Sequence, residues 1–214
     1  MHTPEFLAHR SIVSVTGADA EAFLNGIVTV STSGMTPGEI RYGALLTPQG
    51  KVIADMLLTR SGDAILIDCA ASAAPALVKR LTMMKLRAAV AIEERSDLGA
   101  WAFDGEPDPR SALAPRRKVG PREGNGDGSA YHAARVAAGL PEQGFDFGAE
   151  DVFPADIDMD LLGGIDFRKG CFVGQEVVSR MKRRGTARRR TLKCSVAEGV
   201  AAPAPILANG FEIG

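Results

Sequence analysis

The chain has 214 residues, enough for one large domain or two modest ones around a hydrophobic core. With 25 Lys and Arg against 26 Asp and Glu, its formal net charge of -1 excludes a protein that binds nucleic acid or membrane surfaces by bulk charge. Three cysteines, Cys69, Cys171 and Cys194, form no CxxC or Cys/His cluster, so neither a disulfide framework nor a structural zinc site is indicated. No N-terminal stretch has the layout of a signal peptide, and no apolar run approaches membrane-spanning length. The expectation is a cytoplasmic protein with no membrane attachment.

In chain order, "SIVSV" reads as a strand. A helix follows, with Thr16 or Asp19 as cap and Ala20, Phe23, Leu24 and Ile27 on one face. The run "RYGALLTPQGKVIADMLLTRSGDAILIDCA" reads as three strands joined by turns at Pro48-Gln49-Gly50 and Ser61-Gly62-Asp63. A helix opened by Pro75 and a strand around Ala88–Glu93 come next. This is an α+β arrangement with antiparallel hairpins, not a repeating βαβ fold. Residues 1–103 form a first α+β unit, and proline, glycine and charge dominate 104–130, which reads as a linker. Residues 131–187 hold a helix in "AYHAARVAAGL", stopped by Gly139, and another in "QEVVSRMKRR", stopped by Gly185; they are expected to pack back on the first unit. Residues 188–214 offer a strand, "RTLKCSV", and a hairpin at Asn209-Gly210.

Strict alternation along "KVIADMLLT" puts Val52, Ala54 and Met56 on one face and Ile53, Asp55 and Leu57 on the other. Asp55 is then either a carboxylate among apolar neighbours that needs a partner, or an edge-strand residue facing solvent. Trp101 and Tyr131 are flat platforms for a heteroaromatic ligand, or core residues. Between Glu142 and Phe167 lie eight acidic residues and no Lys or Arg, while Arg168–Lys193 holds ten basic residues and one acid, Glu176. Arg180, Arg183, Arg184 and Arg188 could contact phosphates of tRNA, or be solvated or paired with the upstream acids. Cys171, two residues after Lys169 and close to a helix N-terminus, is placed either as a reactive or metal-binding thiol or as a small residue in a glycine-shaped turn.

The segment "GGIDFRKGCFVGQEVVSRMKRRG" resembles the signature of the YgfZ-type folate-binding proteins, relatives of the glycine-cleavage T-protein (aminomethyltransferase) and of mitochondrial iron–sulfur assembly factors. The pattern K-G-C-[YF]-x-G-Q-E, then an arginine and an R-G pair, is met by Lys169, Gly170, Cys171, Phe172, Gly174, Gln175, Glu176, Arg180, Arg184 and Gly185. Weaker similarity lies in "TGADAEAFLNGIVT", "LLTPQGKVIADMLL", "RVAAGLP" and "FPADIDMD". The resemblance implies packed α+β units around a central cavity for tetrahydrofolate, followed by a C-terminal β-barrel of which this chain has a short or truncated start. By register the two aromatic positions of the folate site fall on Arg10 and Tyr131. Ala54-Asp55 keeps one aspartate of the pair central to T-protein chemistry.

The implied function is a folate-binding accessory factor in iron–sulfur cluster assembly or repair, with effects on tRNA modification. Its partners would be folate, assembly proteins or client enzymes. Cys171 would be the working thiol and a transient metal ligand, with Lys169 tuning or anchoring it. Asp55, Tyr131, Arg10, Gln175 and Glu176 would serve the folate. The alternatives are an aminomethyltransferase-like one-carbon transferase and a tRNA-binding module.

Overall fold

A computed structural model describes residues 2–124, 126–185, 187, 189–195, 204–209 and 211–212. The short strand β1 (Glu5–Phe6) leads into β2 (Arg10–Thr16) and helix α1 (Ala20–Ile27). Ala20, Leu24 and Ile27 share the buried face of α1, as their spacing requires. Asp19 precedes the helix but its carboxylate caps nothing there; it accepts the Ala89 N–H at 2.7 Å instead. Three strands follow as the hairpins predict: β3 (Ile40–Leu46), β4 (Val52–Ser61) and β5 (Ala64–Ala70). Helix α2 (Ala74–Met84) then buries Leu77 and Leu81, and β6 (Ala91–Glu94) returns to the sheet. The result is a five-stranded antiparallel sheet in the order β3-β4-β5-β2-β6.

Beyond the strand expected around Ala88–Glu93, two further strands are present, β7 (Leu98–Glu106) and β8 (Arg117–Pro121). With β1 they form a second antiparallel sheet, β1-β7-β8. The stretch 104–130, expected as a linker, therefore contains β8 and the buried Asp108, Arg110 and Arg117. Its composition misleads because these charges pair with one another and with the core. Helix α3 (Ser129–Ala137), a 3-10 turn at Pro154–Ile157 and helix α4 (Gln175–Arg184) follow, and both α-helices end at the glycines expected to stop them, Gly139 and Gly185, each with positive φ. The hairpin β9 (Leu207–Ala208) with β10 (Phe211–Glu212) turns at Asn209. "RTLKCSV" forms no strand across its described residues 190–195. Arg190 and Thr191 instead bond back to the 156–160 loop, which takes that segment away from any sheet edge.

Three apolar clusters tie the elements together. One lies between the large sheet and α1 with α2 and includes Val13, Leu24, Met56, Ile67 and Leu77. A second covers Tyr42, Val52 and Leu57 with Phe147, Ile157, Ile165, Phe172 and Val178. A third joins the two sheets through Leu7, Ile12, Leu66, Ala100, Ala102 and Tyr131.

Candidate functional site

The side chains with chemical potential fall into two groups, and β4 shows how the first is built. Ala44 pairs with Asp55 and Leu45 with Ala54, but Leu46 pairs with Val52, leaving Ile53 as an extra residue. This β-bulge breaks the strict alternation expected from sequence. Ile53 joins Ala54 and Met56 in the cluster under α1 and α2, while Val52 and Leu57 join the opposite cluster. Gln143 clamps the bulge: its Nε2 donates to the Ile53 carbonyl at 2.9 Å and its Oε1 accepts the Asp55 N–H at 3.4 Å.

Asp55 is thus buried, not solvent-facing. Its Oδ2 accepts the Tyr42 hydroxyl at 3.3 Å, and among the described residues its Oδ1 has no partner. Burial pushes its carboxyl above the usual range, against the pull of Arg10 and Arg110. Asp68 on β5 accepts the Arg10 Nε at 2.7 Å and the Arg117 Nη2, and despite burial these two guanidinium groups hold it below the ordinary carboxylate range. Glu142 accepts from Arg10 at 3.2 Å and from the Tyr131 hydroxyl at 2.6 Å, and His9 Nε2 lies 3.0 Å away. Burial opposes its ionisation, but Arg10 and His9 hold it well below its usual value.

Among the described residues the Arg117 guanidinium donates through Nη2 alone, its Nε and Nη1 being buried without partners, and it sits 4.9 Å above the Tyr131 ring. Arg110, paired with Asp108 at 2.7 Å, lies over Tyr42. Of the sequence candidates, Arg10, Asp55 and Tyr131 therefore converge on one buried polar centre. Arg10 is not an open contact surface there, because its donors are spent on Asp68 and Glu142. Sequence reasoning missed Tyr42, Asp68, Arg110, Arg117 and Glu142. The signal for Asp68 was an aspartate inside "ILIDCA", an apolar run where a carboxylate requires a partner.

The second group is the signature segment, built on α1's far end. Thr29 Oγ1 donates to Gly164 O at 2.6 Å and accepts the Ala44 N–H at 2.9 Å, while the Thr29 carbonyl takes the Asp166 N–H. Asp166 in turn accepts the N–H groups of Arg168 and Lys169, forming the turn. Lys169 then plunges inward: its ammonium donates to the carbonyls of Asn25 and Val28 at 2.6 Å and Val30 at 3.2 Å. Partial burial pushes this amine down to about 8. Phe172 is buried in the second cluster, whereas Cys171 between these anchors is exposed. Lys169 is thus a peg for the loop, with its ammonium committed to backbone carbonyls.

Gly174 starts α4 at φ 80°, where a Cβ would lie 2.7 Å from the Thr47 carbonyl, so only glycine fits. Gln175 and Glu176 occupy α4's first turn, and among the described residues no hydrogen bond links them to Asp55, Arg10 or Tyr131. In the basic run, Arg190 pairs with Asp158 and Asp160, which is the intramolecular pairing the acidic block suggested. Arg188 lies outside the described residues.

A two-sheet α+β unit with a buried polar centre and an exposed thiol loop is the geometry against which known proteins can be compared. Residues 7–108 match the family model of the GCVT N-terminal domain. The crystal structure of glycine cleavage system aminomethyltransferase T from Bartonella henselae superposes with a TM-score of 0.69 at 18% identity, covering 85% of this chain and 63% of that one. The fold is therefore GcvT-like. An iron–sulfur cluster assembly factor IBA57 homolog, mitochondrial, from Pyricularia oryzae is 31% identical over 92% of this chain and 58% of its own length. The mouse iron–sulfur cluster assembly factor IBA57, mitochondrial, is 29% identical over 96% of this chain and 68% of its own length. The chain spans little more than half the length of the fungal relative. By its N-terminal domain and its fold it is a GcvT-like relative. The relatives' names place those proteins in mitochondria; for this chain, no helix among the described residues is long and apolar enough to cross a membrane.

Proposed function

We propose that the chain is a folate-binding accessory factor in iron–sulfur cluster assembly or repair, with Cys171 as its working thiol. The observation that carries this reading is the placement of Cys171, exposed between two inward anchors, Lys169 and Phe172. A thiolate so presented can ligate iron transiently or exchange with a partner's sulfur. The names of the relatives support the same role.

Folate would use the buried polar centre. The fit rests on unmade hydrogen bonds: Asp55 Oδ1 would accept from an N–H of the pterin, and Arg117 Nε and Nη1 would donate to an acceptor on it. Tyr131 supports that centre through Glu142 and Arg117. Effects on tRNA modification would follow through client enzymes that carry clusters.

In cells lacking the endogenous factor, Cys171→Ala should abolish the rescue of cluster-enzyme activity while leaving tetrahydrofolate titration unchanged. Asp55→Ala should abolish the titration. Intact rescue by Cys171→Ala would remove the reading. The unpartnered Asp55 oxygen also favours a second function, an aminomethyltransferase-like transfer in which Asp55 holds the folate amine. Transferase turnover in vitro that is lost in Asp55→Ala and kept in Cys171→Ala would establish it.

A further inference from the structure

Helix α4 has two flanks, and their charges behave differently. On one flank Lys182 lies 3.4 Å over the Phe167 ring, and nearby Arg190 is neutralised by Asp158 and Asp160. The other flank opens into a groove of about 600 Å³ lined by Lys51, Phe153, Val177, Met181 and the guanidinium-bearing Arg180, Arg184 and Arg189, with Asp151 and Asp156 on its rim. Arg180 and Arg184 are exposed, stand one helical turn apart, and form no ion pair among the described residues. The two rim carboxylates are engaged by backbone: Asp151 accepts from Gly148 N at 3.1 Å and Asp156 from Phe153 N at 2.8 Å. Four cations against two acids leave the groove net positive, above an apolar floor of Val177 and Met181.

We propose that this groove docks an acidic, apolar-anchored segment of a partner protein, set beside the thiol loop by their common attachment to α4. The inference deepens the functional reading above and rests on it for the partner's purpose. Charge complementarity selects an acidic ligand. The aromatic ring selects peptide over nucleic acid: a single-stranded RNA groove needs free aromatic faces for bases, whereas the Phe153 ring has the Lys51 ammonium over it at 4.3 Å. The Lys51 ammonium is itself fixed by the Asp151 carbonyl at 2.6 Å, so that face of the ring stays covered. Val177 and Met181 offer instead the soft apolar floor that a leucine-type anchor fills. Gly50, at φ 81°, lies so close to Val177 that a Cβ on it would stand 3.1 Å from the Val177 Cβ, which seats the β3–β4 turn at the groove's wall.

The test uses the full chain and a fluorescein-labelled peptide of alternating glutamate and leucine, read by anisotropy. A lysine–leucine peptide and a polyuridine oligonucleotide of equal charge are the comparators. The glutamate–leucine peptide should bind, and the double variant Arg180→Glu, Arg184→Glu should weaken it about tenfold. A control with the same charge change elsewhere, Arg87→Glu with Arg122→Glu, should bind as the unaltered chain does. Equal weakening in both variants would overturn the proposal in favour of bulk charge. Tighter binding of polyuridine, lost in the α4 variant, would overturn it in favour of an RNA surface. Circular dichroism of each variant establishes that it is folded, and an Arg180→Gln, Arg184→Gln pair repeats the measurement without charge reversal. Cys171→Ala should bind the peptide normally. No peptide binding by the unaltered chain, with Cys171→Ala still unable to rescue cluster enzymes, would remove the docking groove and leave the thiol's function standing.

Discussion

The buried polar centre and the Cys171 loop lie on the same frame and are held in opposite ways. The centre is crowded with charge, and its hubs are fixed by two or more others: Arg10 by Asp68 and Glu142, Asp68 by Arg10 and Arg117, Glu142 by His9, Arg10 and Tyr131. The loop carries one exposed thiol held by a peg and a buried ring. In the first, chemistry and stability share residues, so a change to one disturbs both. In the second they are separated, because the anchors point inward and the thiol outward.

That contrast is broken most forcefully by Asp68→Ala, which leaves Arg10 and Arg117 buried without their shared carboxylate. Denaturant unfolding should show a loss of about 3–5 kcal/mol. Acid probes the same centre. The carboxyls of Asp68 and Glu142 titrate below their usual range when folded, so their stabilisation is complete above the unfolded value of roughly 4 and is lost as pH falls through the folded values. Glu142→Gln should therefore flatten the decline of melting temperature below about pH 4, although it lowers stability at neutral pH.

The loop should respond less. Lys169→Ala removes three hydrogen bonds from a half-buried amine, and a loss of about 1–2 kcal/mol is expected after allowing for solvent. Hydrogen exchange should quicken in the 164–174 turn and stay unchanged in β5. Smallest of all, Cys171→Ala should leave stability within about 0.5 kcal/mol. A large loss there would mean that the thiol is structural, and the contrast between the regions would fail.

Much of the frame could be read from periodicity. Leu24 and Ile27, Leu77 and Leu81, and the turns at Gly50 and Gly62 announce α1, α2 and the β3–β5 hairpins. The signature loop was legible too, since its glycines and Lys169 occupy positions that few other residues can fill. The polar centre was not. Arg110 and Arg117 sit among prolines and charges that look like surface; Asp108 is only two residues from Arg110, but the tertiary fold alone buries that pair and brings Arg117 to Asp68. The faces of Val52 and Ile53 were hidden for another reason: a bulge changes the count of residues along a strand without leaving a mark in its hydrophobicity.

The bulge at Ile53 makes the faces of β4 a matter of parity. Asp55 shares a face with Tyr42 because it pairs with Ala44, and Val52 reaches that same face opposite Leu46 because Ile53 takes no place in the ladder. Removing Ile53 would leave Asp55 and Val52 on their present faces and take away the carbonyl that Gln143 holds. The hairpin can therefore lose this one residue without turning a side chain over, because the ladder and not the residue count sets which face Asp55 takes.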